Sequence, residues 1–214
     1  MKNTTVPLQP RVYYHIYNRG NNRENLFLEN RNYPYFLALY KKHIEPIADT
    51  YAYGLMKNHF HLLVRIKETS QVLKTCDVSM KNKFNPSQRF ANFFNAYAKA
   101  INKGYSRTGS LFEERFGRIP VMSTSYFKTL IFYIHFNPQK HYFVADFRDW
   151  CWSSYHELTG SGPTDLERDE VLGLFGGIQG FEEYHQGMLN EKKLAQCVDK
   201  EFDMETDVTG LKDL

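Results

Sequence analysis

The sequence predicts an α+β fold with a mainly antiparallel sheet, helices on one face and a small helical appendage at the C-terminus. Short runs rich in aromatic and β-branched residues alternate with segments whose apolar residues recur at helical spacing. Their order is strand, helix, strand, strand, helix, strand, which is the split βαβ arrangement. A chain of 214 residues that is 42% hydrophobic is long enough for one sizeable core.

The first half of the chain supplies three strands and one helix. Residues 11–19 predict a strand, because they are rich in β-branched and aromatic side chains and end before Gly20. Residues 30–48 carry apolar side chains at helical spacing, with Pro46 near the end. Two further strand-like runs, 50–57 and 59–67, meet around Asn58 and predict a hairpin.

The second half begins with a helix over residues 87–103, which stops before Gly104. Residues 117–123 predict a short strand, and Pro120 places it at an edge of the sheet. Residues 124–136 predict a helix that Pro138 ends soon afterwards. Short helices are expected at 168–175 and 181–191. We therefore divide the chain into a domain over residues 1–160 and an acidic helical appendage with a tail over residues 161–214.

Charge is distributed unevenly along the chain. Residues 1–162 hold 22 basic and 11 acidic side chains, whereas residues 163–214 hold 5 basic and 13 acidic ones. Within residues 81–118, basic side chains are interleaved with aromatic ones. Basic charge attracts phosphate and aromatic rings stack on exposed bases, so this segment favours a single-stranded nucleic acid as partner. It is equally consistent with a solvated helix face over an aromatic core.

Several classes of protein are disfavoured by composition. No apolar run approaches the roughly 20 residues that span a bilayer, and residues 1–10 lack the apolar stretch of a signal peptide. The three cysteines lie far apart in the sequence and form no CxxC pair. A disulfide framework or cysteine zinc site is therefore not expected, and we expect a cytoplasmic protein with no membrane association.

Two histidines separated by one residue form the first candidate metal site. Side chains alternate between the faces of a strand, so His59 and His61 share one face while Phe60 enters the other. Two imidazoles can chelate one cation, but a metal site needs at least a third ligand from elsewhere. Without such a ligand, the two histidines could be ordinary surface groups.

A tyrosine and an asparagine on a predicted helix are candidates for a nucleophile and the third metal ligand. Tyr133 and Asn137 are four residues apart, which places them on one face, one turn from each other. The asparagine oxygen is a hard ligand suited to Mg²⁺ or Mn²⁺. Tyr97, Tyr126 and Tyr184 are followed at the same spacing by Ile, Leu and Met, none of which suits such a cation. The alternative is that Tyr133 is a core aromatic and Asn137 a helix cap.

Five motifs follow one another along residues 11–160. They are YHIYNRGNNRE at 14–24, the HFH of GLMKNHFHLLV at 54–64, GSLFEERF at 109–116, YIHFNP at 133–138 and WCWSSYHEL at 150–158. Together these motifs resemble the HUH single-tyrosine transposases, and in particular their REP-associated branch. No motif is specific by itself, but five in the same order are.

The resemblance implies a fold, a site and a partner. It implies a ferredoxin-like sheet, the architecture also found in RRM domains, with the histidine pair on a central strand. Mg²⁺ or Mn²⁺ would be held by His59, His61 and Asn137, with Tyr133 as the catalytic nucleophile. The protein would cleave and rejoin single-stranded DNA, or DNA flanking a hairpin, through a covalent 5′-phosphotyrosine, as a monomer or homodimer. Polar and basic loop residues are candidates for DNA contacts: Asn18, Arg19, Asn21, Arg23, Arg107, Arg115 and Arg118.

Two other functions remain open at this point. A non-catalytic RRM-like protein that binds single-stranded nucleic acid would share the sheet but would need no metal, although the sequence contains no RNP-type aromatic run. A zinc hydrolase would need a carboxylate or a further histidine beside the HxH pair.

Overall fold

Four strands form one antiparallel sheet in the computed structural model, which describes residues 6–68 and 85–190. They are β1 (Tyr13–Arg19), β2 (Ala48–Leu55), β3 (His59–Ile66) and β4 (Gly117–Val121), and they lie in the order β2-β3-β1-β4. Each neighbouring pair is antiparallel, so β1 and β2 run parallel to each other on either side of β3. The predicted split βαβ sheet is therefore confirmed.

The five predicted helices are present, and all but the one at residues 168–175 have shifted ends. The helices are α1 (Asn32–His43), α2 (Pro86–Gly104), α3 (Thr124–Lys140), α4 (Tyr155–Thr159), α5 (Arg168–Phe175) and α6 (Ile178–Asn190), and the short α4 was not predicted. The helix α3 continues past Pro138, because a proline in the last turn removes only one helical hydrogen bond. Asn137 consequently lies inside the helix and is not its cap.

Side-chain caps fix where the two long helices begin. The Asn85 side chain accepts a hydrogen bond from the Gln88 amide at 3.2 Å, and Pro86 follows in the first turn of α2. Ser123 accepts from the Tyr126 amide at 3.2 Å and begins α3 in the same way.

One face of the sheet packs against α1 and α2 through aromatic side chains. Phe60 of β3 lies 5.2 Å from Phe36 of α1 and 5.5 Å from Phe94 of α2, measured between ring centroids. The aromatic residues of α2 that face this core, Phe90, Phe93, Phe94 and Tyr97, are all buried. Between the two interpretations of the basic aromatic segment, the structure therefore favours an aromatic core for these rings.

The helix α3 lies on the opposite face of the sheet. Near its start Phe127 contacts Tyr13 and Tyr51, with ring centroids 5.3 and 5.4 Å apart, and near its end Asn137 reaches His59. The expectation that the helices occupy one face is therefore wrong in this respect. The reason is visible in β2 and β3, which are buried almost throughout, as expected of strands covered on both faces.

The outer edge of β2 is covered by later parts of the chain. The amide of Leu55 donates to the Trp152 carbonyl at 2.9 Å, and the amide of Ser154 donates to the Tyr53 carbonyl at the same distance. The WCWSSYHEL motif therefore acts as scaffold. The other edge strand, β4, has five residues, including Pro120 as predicted.

The chain divides into two compact units, residues 1–171 and 172–214. The acidic segment begins within the first unit, where Asp165 pairs with Lys41 at 2.5 Å and Glu170 accepts a hydrogen bond from Tyr51 at 2.9 Å. In the second unit Phe181 packs on His185, with ring centroids 4.2 Å apart. The packing of the chain places the division between the two units after residue 171. The functional boundary at residue 160 stays a prediction.

The predicted tail over residues 191–214 lies outside the described residues. None of the described helices has both the length and the apolar character that crossing a membrane requires.

The burial of Phe60 predicts a large loss of stability on truncation. Phe60→Ala should lower the free energy of unfolding by about 3–5 kcal/mol, because it removes a ring from the aromatic core and leaves a cavity. Urea unfolding followed by circular dichroism measures this loss. Met122→Ala is the control, since Met122 is 82% exposed, and it should change stability little. A loss for Phe60→Ala as small as that of the control would contradict the packing described above.

Candidate active site

His59 and His61 lie at the start of the central strand β3, with both imidazoles on the α3 side of the sheet. Their ring centroids are 5.3 Å apart and both side chains are buried. They share this face because strand side chains alternate, which sends Phe60 into the opposite core. The pair is therefore not a surface group.

The last turns of α3 bring the other two predicted residues to the histidines. The Asn137 Oδ1 atom lies 2.8 Å from His59 Nε2. The Tyr133 ring meets the His61 ring edge-on, with centroids 5.2 Å apart. The four residues nominated as the nucleophile and the metal ligands thus converge. Tyr133 is also packed like a core residue, since its side chain is 1% exposed.

Gly54 allows α3 to come this close. It pairs with His61 across β2 and β3, and a Cβ atom at this position would lie 2.8 Å from the carbonyl oxygen of Ile134. That oxygen receives no helical hydrogen bond from position 138, because proline has no N–H group. Because Gly54 has no side chain, β2 can lie directly against the α3 backbone at Ile134.

His15 is a member of the cluster that the sequence did not nominate. It lies on β1, directly beside β3, and its Nε2 atom is 2.9 Å from His61 Nδ1. Its ring also meets the Tyr133 ring, with centroids 6.3 Å apart. The register explains the contact: Tyr17 faces His61 and His15 faces Leu63, so the two histidines are diagonal neighbours on one face.

Burial keeps the inner histidines uncharged. Burial lowers the pKa of His61 well below its usual value, and the neighbouring His15 and His59 lower it further. Burial alone lowers the pKa of His15 to about 3. Both imidazoles are therefore neutral near pH 7, and the neutral imidazole is the form that ligates metals.

The polar atoms of the cluster fit a bound divalent cation. The His59 Nδ1 atom lies 2.8 Å from Asn58 Oδ1, so a neutral His59 that donates there turns its Nε2 lone pair toward Asn137 Oδ1. Two ligands of an octahedral ion, each about 2.1 Å from it, lie about 3.0 Å apart, close to the separation of these two atoms. Nearby, His61 Nε2 is buried and has no hydrogen-bond partner among the described residues.

The ligand set of a zinc hydrolase is missing from the part of the chain that the structure describes. No group of three His, Cys, Asp or Glu side chains within residues 6–68 and 85–190 is placed to hold a metal ion. The candidate site instead combines two imidazoles with one amide oxygen, a mixture that tolerates Mg²⁺ or Mn²⁺.

Two cationic or basic groups that the sequence did not nominate follow Asn137. The Lys140 Nζ atom lies 5.6 Å from the Tyr133 ring centroid, and the His141 ring lies 4.9 Å from the His59 ring. The helical spacing of Asn137 and His141 was the available signal, since residues four apart share a face. Lys140 therefore places positive charge beside the tyrosine.

Four DNA-contact candidates lie at the His59 end of the sheet: Asn18 and Arg19 are the last residues of β1, and Asn21 and Arg23 lie in the loop after it. This loop is joined to the β2–β3 turn by a hydrogen bond of 2.8 Å from the Gly20 amide to the Asn58 carbonyl. Asn18 is buried, and Arg19 pairs with Glu113 at 2.5 Å. Asn21 is half-buried, whereas Arg23 is exposed.

The three candidate arginines before and within β4 also differ in whether their side chains are paired with other residues or exposed. Arg107 forms an ion pair with Glu24, and Arg118 donates to Ser87 Oγ at 2.7 Å. Arg115 is exposed. Of the five predicted arginines, Arg23 and Arg115 are thus the two with exposed side chains.

Comparison with known proteins identifies the fold. No protein-family model and no curated protein sequence matches the chain. Among solved structures, the REP-associated tyrosine transposase bound to a REP hairpin is similar, with a TM-score of 0.56 and 16% sequence identity over 78% of this chain and 90% of that one. The chain has the fold of that transposase. The architecture that the motifs implied is therefore confirmed.

The role of Gly54 is testable by adding one methyl group. Gly54→Ala should lower the free energy of unfolding by about 1–3 kcal/mol, because the new Cβ collides with the Ile134 backbone and pushes α3 from the sheet. Gly104→Ala is the matched control: Gly104 ends α2 with open space around it, so the same change should be neutral or stabilising. Equal effects of the two substitutions in urea unfolding would show that the close approach is unimportant.

Proposed function

We propose that this protein is a DNA strand transferase that cleaves and rejoins single-stranded DNA, or DNA beside a hairpin, through a covalent 5′-phosphotyrosine at Tyr133. One observation carries the proposal: Tyr133 and Asn137 of α3 meet His59 and His61 of β3. The similarity of the fold to a transposase bound to a REP hairpin supports it. The chemistry follows from the side chains themselves.

Tyr133 would supply the nucleophile. Its Oη atom forms a bond to phosphorus while the bond from phosphorus to the 3′-oxygen breaks. The phenol proton is lost and the 3′-oxygen gains one, which leaves a free 3′-OH and a 5′-phosphate on the tyrosine. The reference pKa of a phenol is about 10, far below that of an alkyl alcohol, so the phenolate is also a good leaving group. A second 3′-OH can therefore reverse the step and join strands without ATP.

His59, His61 and Asn137 would hold the divalent cation. With Mg²⁺ or Mn²⁺ bound, these residues would have available the charge neutralisation and alignment of the scissile phosphate that such an ion would supply. The protein's own part is to present two imidazoles and an amide oxygen from a buried face of the sheet, and to keep Tyr133 beside them. Lys140 lies close to the Tyr133 ring and would bring a positive charge to the site.

The burial of Tyr133 restricts which DNA can react. A phosphorus atom must come within bonding reach of Oη, although the side chain is 1% exposed. The groups that cover it must therefore move when DNA binds, and an unpaired strand is narrow and flexible enough to enter. Exposed Arg23 and Arg115 are suited to hold phosphates outside the site. A hairpin partner is the natural choice, by analogy with the related transposase.

A non-catalytic RRM-like protein that binds single-stranded nucleic acid is the alternative. Such proteins stack bases on an open sheet face. Here α3 lies on that face over β2 and β3, with Ile134 against Gly54 and Asn137 against His59. The covered face disfavours this alternative, and the following experiments separate the two functions.

The tyrosine is tested by looking for a covalent product. Wild-type protein with Mn²⁺ and a labelled hairpin oligonucleotide should give a protein–DNA adduct on a denaturing gel, whereas Tyr133→Phe should give none and still bind the hairpin. Tyr17→Phe is the matched control, because Tyr17 is the other tyrosine near His61, with ring centroids 6.0 Å apart. An adduct that survives Tyr133→Phe and disappears in Tyr17→Phe would overturn the assignment.

The metal site is tested by removing its ligands and the cation. His59→Ala combined with His61→Ala should abolish cleavage, and chelation by EDTA should do the same to wild-type protein. Adding Mn²⁺ back should restore wild-type cleavage and leave the double variant inactive. Full cleavage by the double variant would exclude a metal role for these histidines, and hairpin binding without any cleavage by wild-type protein would support the non-catalytic alternative.

A further inference from the structure

The two nitrogens of the His61 ring lie in different surroundings. Its Nδ1 atom is 2.9 Å from His15 Nε2, whereas its Nε2 atom is buried without a hydrogen-bond partner among the described residues. One nitrogen is thus occupied by the protein, and the other is open to a ligand.

His59 shows the same division between its two nitrogens. Its Nδ1 atom contacts Asn58 Oδ1 at 2.8 Å and its Nε2 atom points to Asn137. Each histidine of the pair therefore has its Nδ1 atom against a neighbouring side chain and its Nε2 atom directed into the site. For His59 the neighbour is an adjacent residue, whereas for His61 it comes from another strand.

A hydrogen bond between two neutral imidazoles contains one proton, and its direction decides whether His61 can bind a metal. If His15 donates, the remaining proton of His61 stands on Nε2 and blocks that nitrogen. If His61 donates from Nδ1, its Nε2 atom carries a lone pair. Only the second arrangement suits a ligand, and a partner that fixes it raises metal affinity.

We propose that His15 is a positioning residue that accepts a hydrogen bond from His61 Nδ1 and so keeps the His61 Nε2 lone pair directed at the metal. This inference rests on the proposed function, because it concerns the same cation. His15 acts through His61 and is not itself a ligand.

The surroundings of His15 make it a fixed support. It lies on β1, which has β3 on one side and β4 on the other, and its side chain is 1% exposed. Its ring centroid lies 5.0 Å from that of His61 with 29° between the ring planes, so the two nitrogens face each other edge to edge. The ring of Tyr133 lies near both imidazoles, with its centroid 6.3 Å from that of His15 and 5.2 Å from that of His61.

The first experiment uses wild-type protein without metal. Nitrogen-15 NMR of histidine-labelled protein distinguishes a protonated ring nitrogen from a bare one, and His61→Gln assigns the signals. We expect the His61 proton on Nδ1 and a bare Nε2. A His61 ring with its proton on Nε2 would overturn the inference, and this result does not depend on cleavage or on any variant folding.

The second experiment compares Mn²⁺ affinity by calorimetry and electron paramagnetic resonance. His15→Leu should weaken Mn²⁺ binding by about 10-fold or more, as loss of a partner behind a metal-binding histidine does. His15→Gln should restore most of the affinity, since its amide oxygen can reach the place of Nε2 and accept the same hydrogen bond. The matched control is His135→Leu, which removes another buried imidazole, one bonded to Ser154, and should leave Mn²⁺ affinity unchanged.

The outcomes separate this inference from the proposed function. Wild-type affinity in a folded His15→Leu protein, together with lost affinity in His61→Ala, would overturn the role of His15 and leave the proposed function intact. Equal losses in His15→Leu and His15→Gln would also overturn it, because a hydrogen-bond acceptor would then not be what matters. Unchanged affinity in His59→Ala and His61→Ala would instead refute the metal site of the proposed function.

Discussion

The close packing of α3 on the face of β2 and β3 is the constraint on which the rest of the site depends. At Gly54 the helix backbone comes so near the sheet that a single methyl group would not fit. This proximity lets Asn137 reach His59 within hydrogen-bonding distance and sets Tyr133 against His61. A larger residue at position 54 would collide with the Ile134 backbone and lengthen these contacts.

The two faces of the sheet bury different kinds of side chain. The face toward α1 and α2 is an aromatic core around Phe60, and burial of such rings is the main source of folding stability. The face toward α3 buries histidines and an asparagine, whose desolvation costs free energy unless they are paired. Some of those polar atoms lack a protein partner, as His61 Nε2 does among the described residues. The aromatic face thus stabilises a sheet whose other face carries a buried polar cluster.

Local periodicity was sufficient to predict most of the fold and the two residue pairs of the candidate site. Alternation along a strand placed His59 and His61 on one face, and helical spacing paired Tyr133 with Asn137, because both relations depend on residues near each other in the chain. The contact of His15 with His61 depends on the register between β1 and β3, which no local pattern specifies. The position of α3 on the second face is indicated by the nearly continuous apolar run of β3, which is typical of a strand covered on both faces. The side-chain positions of Arg19 and Arg107 depend on Glu113 and Glu24, acidic partners that are distant in sequence.

Both edges of the sheet, as far as the structure describes the chain, are poorly suited to a further strand. On β2, the backbone of Leu55 and Tyr53 is already bonded to the segment around Trp152 and Ser154. On β4, the strand is short and contains Pro120, which has no N–H group to donate. These features disfavour the strand-to-strand pairing by which open sheets aggregate.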